Sequence, residues 1–179
     1  MAVGATIHTF AAQLADVDRG VYEDLALRVA RPSSETDAFM LTRVLAYCLE
    51  YTEGIAFSEG IAATDEPAVL VRDLTGRVTA WIEVGSPDAE RLHHGSRLAE
   101  RTAVYTHRDP AKVAAQWAGK RIHRASEIPL RSFDPGFVDA VAAGIERRND
   151  MTLSVSDGHI YLDLNGRSAT TAIHEQAVG

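Results

Sequence analysis

Glu83 closes the apolar run "VTAWIEV", and a carboxylate at the tip of a buried strand needs a partner or a task. The chemistry it suggests is metal-dependent phosphodiester hydrolysis. That reaction uses hard oxygen ligands on neighbouring strands to hold a divalent ion, Mg²⁺ or Mn²⁺, with a nearby cation to balance charge on the phosphate. Asp73 is the first acid to consider, ten residues upstream. It sits beside the turn of the hairpin, whereas Glu83 lies at the far end of the return strand. At ~3.3 Å per residue the two are roughly 20 Å apart. With the turn centred on Leu74 and Thr75, residues 65–67 fall opposite Glu83, and that span holds Asp65 and Glu66. A one-residue choice of register decides which of these two shares a face with Glu83. Asp65 is favoured, with Glu66 in reserve, so Asp65 and Glu83 are the expected metal ligands. Glu35, at the start of the preceding helix, is the candidate third carboxylate; the plainer account is that it complements the helix dipole.

These acids depend on the elements that carry them. "AVLVRDLTGRVTAWIEVG" reads as a hairpin turning at "DLTG". Before it, Ser33 or Ser34 caps a helix whose core face is Leu41, Val44, Leu45, Cys48 and Leu49. After it, "SPDAERLHHGSRLAER" opens a helix with Ser86 as cap, Pro87 as first helical residue, and Leu92, Ser96, Ala99 and Ala103 as a small-residue face. The spacing further predicts strands over 5–14 and 21–29, a strand "AVYTH", and a helix from Asp109-Pro110 to Gly119. It then predicts a strand "KRIHRA", a helix "DPGFVDAVAAGIERR" and a hairpin over 151–166 turning at Asp157-Gly158. The order is β-β-α-β-β-α-β-α-β-α-β-β, an α/β chain with a mixed sheet flanked by helices. Its inner core, from Ser34 to about Thr106, reads α-β-β-α-β.

The 179 residues suit a single domain over 1–179, and 46% apolar residues suffice for a core. A net charge of −7 offers no long-range attraction to nucleic acid, so such a partner would need a local basic patch. Lys112, Lys120, Arg121 and Arg124 form the densest basic group, and Arg43 lies two turns beyond Glu35; mixed-charge surface is the plainer account of both. The one cysteine, Cys48, sits in an apolar helical pattern as core filler and forms no internal disulfide. No run of ~18 apolar residues and no basic-then-apolar leader is present. The expectation is a cytoplasmic protein with no membrane partner.

"SSETDAFMLTRVLAY", "DEPAVLV", "WIEVGSPDAERL" and "MTLSVSDGHIYL" in this order closely resemble the YaeQ family of bacterial proteins, over nearly the whole chain. That family is similar in fold to the PD-(D/E)xK restriction-endonuclease-like superfamily and is regarded as a compact variant of it. The resemblance implies a restriction-endonuclease-like α-β-β-α-β core with added N- and C-terminal β-hairpins. It places the motif acids at Glu35, Asp65 and Glu83. It also places the usual lysine at a position held here by Gly85, two residues after Glu83. In relatives a basic pair on the next helix falls where this chain has His93 and His94.

A neutral imidazole is a poorer phosphate clamp than an ammonium, but it can act as a general base. Adjacent helix positions point ~100° apart, so at most one of His93 and His94 faces the carboxylates. Two functions follow as expectations. One is a Mg²⁺- or Mn²⁺-dependent nuclease or phosphodiesterase using Glu35, Asp65, Glu83 and His93 or His94. The other is a degenerate, non-catalytic member that binds a protein or nucleic acid.

Overall fold

The computed structural model describes residues 4–58 and 66–179. The described elements begin with β1 (Thr6–Asp16), β2 (Val21–Arg31), α1 (Asp37–Leu49), β3 (Ile55–Phe57), β4 (Val69–Arg72), β5 (Val78–Val84) and α2 (Ala89–Leu98). They continue with β6 (Arg101–Tyr105), α3 (Pro110–Ala115), β7 (Pro129–Phe133), α4 (Phe137–Ala142), β8 (Arg148–Ser156), β9 (His159–Leu164) and β10 (Arg167–Ala177). Backbone contacts divide the chain into two compact units. The first joins Met1–Leu41 to Phe133–Ile173, and the second joins Thr42–Ser132 to His174–Gly179.

In the first unit the strand order is β2-β1-β8-β9-β10. β1 and β2 form an antiparallel hairpin, and β1 runs parallel to β8 with Thr9 opposite Arg148. Burial alternates along β1: Phe10, Ala12 and Leu14 point inward while Thr9, Ala11 and Gln13 are exposed, the two-residue period of a sheet with one wet face. Leu153, Ile160 and Leu164 continue the inward layer. The β8–β9 turn is Asp157-Gly158, both residues at positive φ, as a tight two-residue hairpin requires.

In the second unit the order is β3-β4-β5-β6-β7. β5, β6 and β7 run parallel, and β4 joins β5 antiparallel. Val84 pairs with Tyr105 and Glu83 with Val104, so Trp81, Glu83 and Val104 share one face of this sheet and Ile82, Val84 and Tyr105 share the other. Leu92 of α2 packs on the first of these faces with Val104, Val113, Trp117, Ile128 and Leu130.

Several expectations hold. Asp109 caps α3 with Pro110 behind it, although the helix ends at Ala115 and residues 116–119 turn rather than continue it, and Leu41, Val44, Leu45, Cys48 and Leu49 are all buried. Others need correction. The chain over 120–125 is irregular, with a turn at 123–124 leading into a 3-10 turn at Ala125–Glu127, and the strand after α3 is β7, which begins on Pro129. α4 stops at Ala142, far short of 148, because residues from Arg148 enter β8. The cap of α1 is Thr36, whose Oγ1 accepts from the Phe39 N–H at 3.1 Å, so Glu35 precedes the helix. Asp88, not Ser86, caps α2 by accepting from the Arg91 N–H at 2.9 Å. β3 and β10 were not expected at all. Among the described residues no helix is long and apolar enough to cross a membrane; strand-built membrane proteins are outside that statement.

Candidate functional site

The site is built where β5 ends beneath α2. Trp81 and Glu83, two residues apart on a strand, project to the same face. The Trp81 indole N–H donates to Glu83 Oε2 at 3.0 Å. From the first turn of α2, Arg91 donates its Nε to Glu83 Oε2 at 2.9 Å and its Nη2 to Oε1 at 3.4 Å. The same Nη2 donates to the backbone carbonyl of Glu66 at 2.8 Å. One guanidinium thus ties the end of β5 to the chain entering β4. The Glu83 side chain is 5% exposed and that of Arg91 31%. Burial holds the Glu83 carboxyl above its ordinary pKa, although the Arg91 charge and hydrogen bond and the Trp81 N–H all pull it down. Desolvation therefore outweighs the ion pair.

The helix lies close because Gly95 faces the indole: a Cβ on Gly95 would stand 2.5 Å from three Trp81 ring atoms. His94 meets the same indole edge-on, with ring centroids 5.6 Å apart. His93 turns elsewhere, and its Nδ1 accepts from the His123 N–H at 3.0 Å. Of the two histidines, His94 is the one that shares a neighbour with Glu83.

The hairpin register differs from the expected one. Val69 opposes Ile82 and Val71 opposes Ala80, with an irregularity before Arg72. Continuing that register sets residue 68, not 65–67, opposite Glu83. Glu66 sends its carboxylate to Arg72 at 3.5 Å. Asp65 lies outside the described residues. Asp73 stays in its turn, where Oδ1 accepts from the Thr75 N–H and hydroxyl and from the Arg77 N–H; the Thr75 hydroxyl is the main reason its carboxyl sits below the ordinary pKa. Glu35 belongs to the first unit, where its carbonyl accepts from Arg31 Nη1 at 2.5 Å.

The residue that sequence reasoning passed over is Arg91. The sequence offers only part of the signal: a cation on the helix that follows the strand end, which the cap at Asp88 turns back toward Glu83.

A divalent metal needs several unspent oxygen ligands. Here both oxygens of the Glu83 carboxylate are engaged by Arg91 and Trp81. Among the described residues no group of three His, Cys, Asp or Glu is placed to hold a metal ion. The described part of the site does not fit Mg²⁺ or Mn²⁺.

A second buried charge occupies the other face of the same sheet. Glu50, just past α1, receives Arg101, Arg131 and the Tyr105 hydroxyl; Arg131 lies 2.8 Å from Oε2, and it also reaches Glu175 at 2.7 Å. Burial first, and the Glu50 charge second, raise the Tyr105 phenol well above its ordinary pKa. Every charge in this cluster is matched, and the cluster joins β6, β7, the end of α1 and β10 within the second unit.

Comparison with known proteins adds four findings. A family model described as YaeQ protein matches residues 1–173. "Uncharacterized protein YaeQ" of Escherichia coli (strain K12) is 29% identical over 163 residues, 90% of each chain. Among solved structures, the YaeQ protein from Pseudomonas syringae is 30% identical with a TM-score of 0.86, covering 98% of both chains. That from Xanthomonas axonopodis pv. citri is 26% identical with a TM-score of 0.87, covering 97% of this chain and 98% of its own.

Proposed function

The chain belongs to the YaeQ family, and from that premise we propose that it acts by binding a macromolecule rather than by cleaving one. Its nuclease-like acid, Glu83, is held shut by Arg91. The observation that carries this reading is the guanidinium fork on a buried carboxylate. An ammonium or guanidinium that serves a phosphate must face outward to it. Arg91 instead spends its donors on Glu83 and the Glu66 carbonyl. Gly85, at the position where the PD-(D/E)xK pattern carries lysine, supports the same reading.

The rival reading keeps Asp65 and Glu83 as ligands of Mg²⁺ or Mn²⁺ in a restriction-endonuclease-like phosphodiesterase, with Glu35 assisting and His94 or His93 in place of lysine. One observation favours it: the bond from Arg91 to the Glu66 carbonyl brings the chain adjoining Asp65 to Glu83. The experiment that separates the two is incubation of mixed DNA and RNA substrates with millimolar Mg²⁺ or Mn²⁺, using wild type and Glu83→Gln purified in parallel. The binding reading expects no cleavage by wild type beyond that of Glu83→Gln. Metal-dependent cleavage that disappears in Glu83→Gln would overturn it in favour of the phosphodiesterase.

A further inference from the structure

Five of the twelve lysines and arginines of the second unit sit in ion pairs with described acids. Arg72 pairs with Glu66, Arg77 with Glu100, Arg91 with Glu83, Arg101 with Glu50, and Arg131 with Glu50 and Glu175. The exceptions cluster. Residues 97–124 carry seven cations against two acids in a chain whose net charge is −7. Of the acids, Glu100 is paired with Arg77, and Asp109 is spent capping α3. Arg97, Lys120 and Arg121 are exposed and make no ion pair with any described acid.

Two of these side chains, Arg97 and Arg121, converge with two imidazoles, and Lys120 neighbours Arg121 in sequence. Arg97 is one turn beyond His93 on α2. The segment carrying Lys120, Arg121 and His123 is clamped to that helix, because the His123 N–H donates to His93 Nδ1 and Arg124 donates to the carbonyls of Ser96 and Ala99. The His93 and His123 rings stand edge-to-face at 6.4 Å. Since Nδ1 of His93 accepts a backbone N–H, the proton of the neutral ring is on Nε2, a donor left to meet a ligand. Burial and the charges of Arg121, Arg97 and His123 hold His93 below its ordinary pKa, and no acid offsets them. The local field is positive and uncompensated.

We propose that His93, Arg97, Lys120, Arg121 and His123 form a binding face for single-stranded nucleic acid. Guanidinium and ammonium groups would take the phosphates, and the imidazole and guanidinium planes would stack on unpaired bases. The inference rests on the binding reading above and names its partner. It uses none of the Glu83–Arg91–Trp81 atoms. An acidic protein segment would satisfy the cations but make no use of the exposed planar rings.

The test is fluorescence anisotropy of a labelled mixed-sequence 20-nucleotide RNA and its DNA counterpart against the full chain at 50 and 200 mM salt. Three phosphate contacts predict a slope of about −2 in log K against log salt, a roughly 15–20-fold loss of affinity over that range. Arg97→Glu/Arg121→Glu should weaken binding at least tenfold. Arg28→Glu/Arg148→Glu, the same charge change in the first unit, should stay within about twofold. Bound oligonucleotide should raise the His93 pKa followed by NMR. The proposal is overturned by absent binding at 50 mM salt, by equal losses in the two double variants, or by polyglutamate or polyphosphate competing as well as RNA per unit charge. Circular dichroism on each variant separates lost binding from lost folding. Cleavage measured in the same samples reports on the Glu83 reading alone.

Discussion

Gly95 of α2 faces the Trp81 indole so closely that a Cβ there would meet three ring atoms at 2.5 Å. The indole in turn donates to Glu83. Helix approach, ring placement and carboxylate solvation are therefore one mechanical unit. Gly95→Ala should gain up to ~1 kcal/mol in helix propensity and lose about 2–3 kcal/mol to overpacking, for a net destabilisation of about 1–2 kcal/mol. Urea unfolding measures it, and ¹⁹F NMR of fluorotryptophan-labelled protein should show the Trp81 resonance moving while that of Trp117 stays. Unchanged stability would mean the helix shifts freely.

Arg91→Ala leaves a buried carboxylate without its counter-charge, which for a partly exposed arginine should cost about 2–3 kcal/mol at pH 7.5. The pH dependence follows from sign. The folded Glu83 carboxyl is already raised from 4.5, so the native state takes up a proton at higher pH than the unfolded chain. The penalty of the ionised form is full above the folded pKa and is relieved as pH falls through it. Removing Arg91 raises that pKa further. The deficit of Arg91→Ala relative to wild type should therefore shrink between pH 7.5 and 5, as read from urea midpoints. An equal deficit at both pH values would refute a charge-burial origin.

Thr102 lies on β6 opposite Trp81, 4% exposed, and its hydroxyl is buried without a hydrogen-bond partner among the described residues. Thr102→Val keeps the shape and removes an unmet polar group. It should stabilise the fold by about 1 kcal/mol, seen as a higher Tm with an unchanged urea m-value. A lower Tm would mean the hydroxyl has a partner.

Tyr105→Phe deletes a hydroxyl that bonds Glu50 and accepts from Arg131 Nη1 at 2.6 Å. Hydrogen bonds to charged groups are the strong ones, and the loss should be about 1.5–3 kcal/mol. Guanidinium chloride unfolding would show it, and a change below 0.5 kcal/mol, the ordinary scatter of surface substitutions, would mean that Arg101 and Arg131 alone satisfy Glu50.

Local signals carried much of the fold. Asp109-Pro110 and Asp157-Gly158 work through neighbouring backbone groups alone, so α3 and the β8–β9 turn could be read directly. β10 had an equally local signal, Asn165-Gly166, both at positive φ and linking Leu164 to Arg167. It went unread because the strand beyond, "RSATTAIHEQA", is mostly polar and only partly buried. β7 was misplaced for a tertiary reason. "KRIHRA" alternates as well as "PLRSF", and only pairing with Val104 and Tyr105 selects the second. At the candidate site the acid was legible and its cation was not. Strand periodicity fixes which way Glu83 points, but the reach of Arg91 depends on α2 starting at Asp88, two residues later than the Ser86 cap suggested.

The parallel pairing of Thr9 with Arg148 has a consequence for synthesis on the ribosome. The first hairpin emerges with its β1 edge open, and the strand that covers that edge is made only after the whole of Thr42–Ser132. Most of the second unit, Thr42–Ser132, is contiguous and in sequence separates the two segments of the first. The nascent chain must therefore carry an unfinished sheet edge while the intervening unit folds, so early truncation leaves a β1 edge able to pair with another chain.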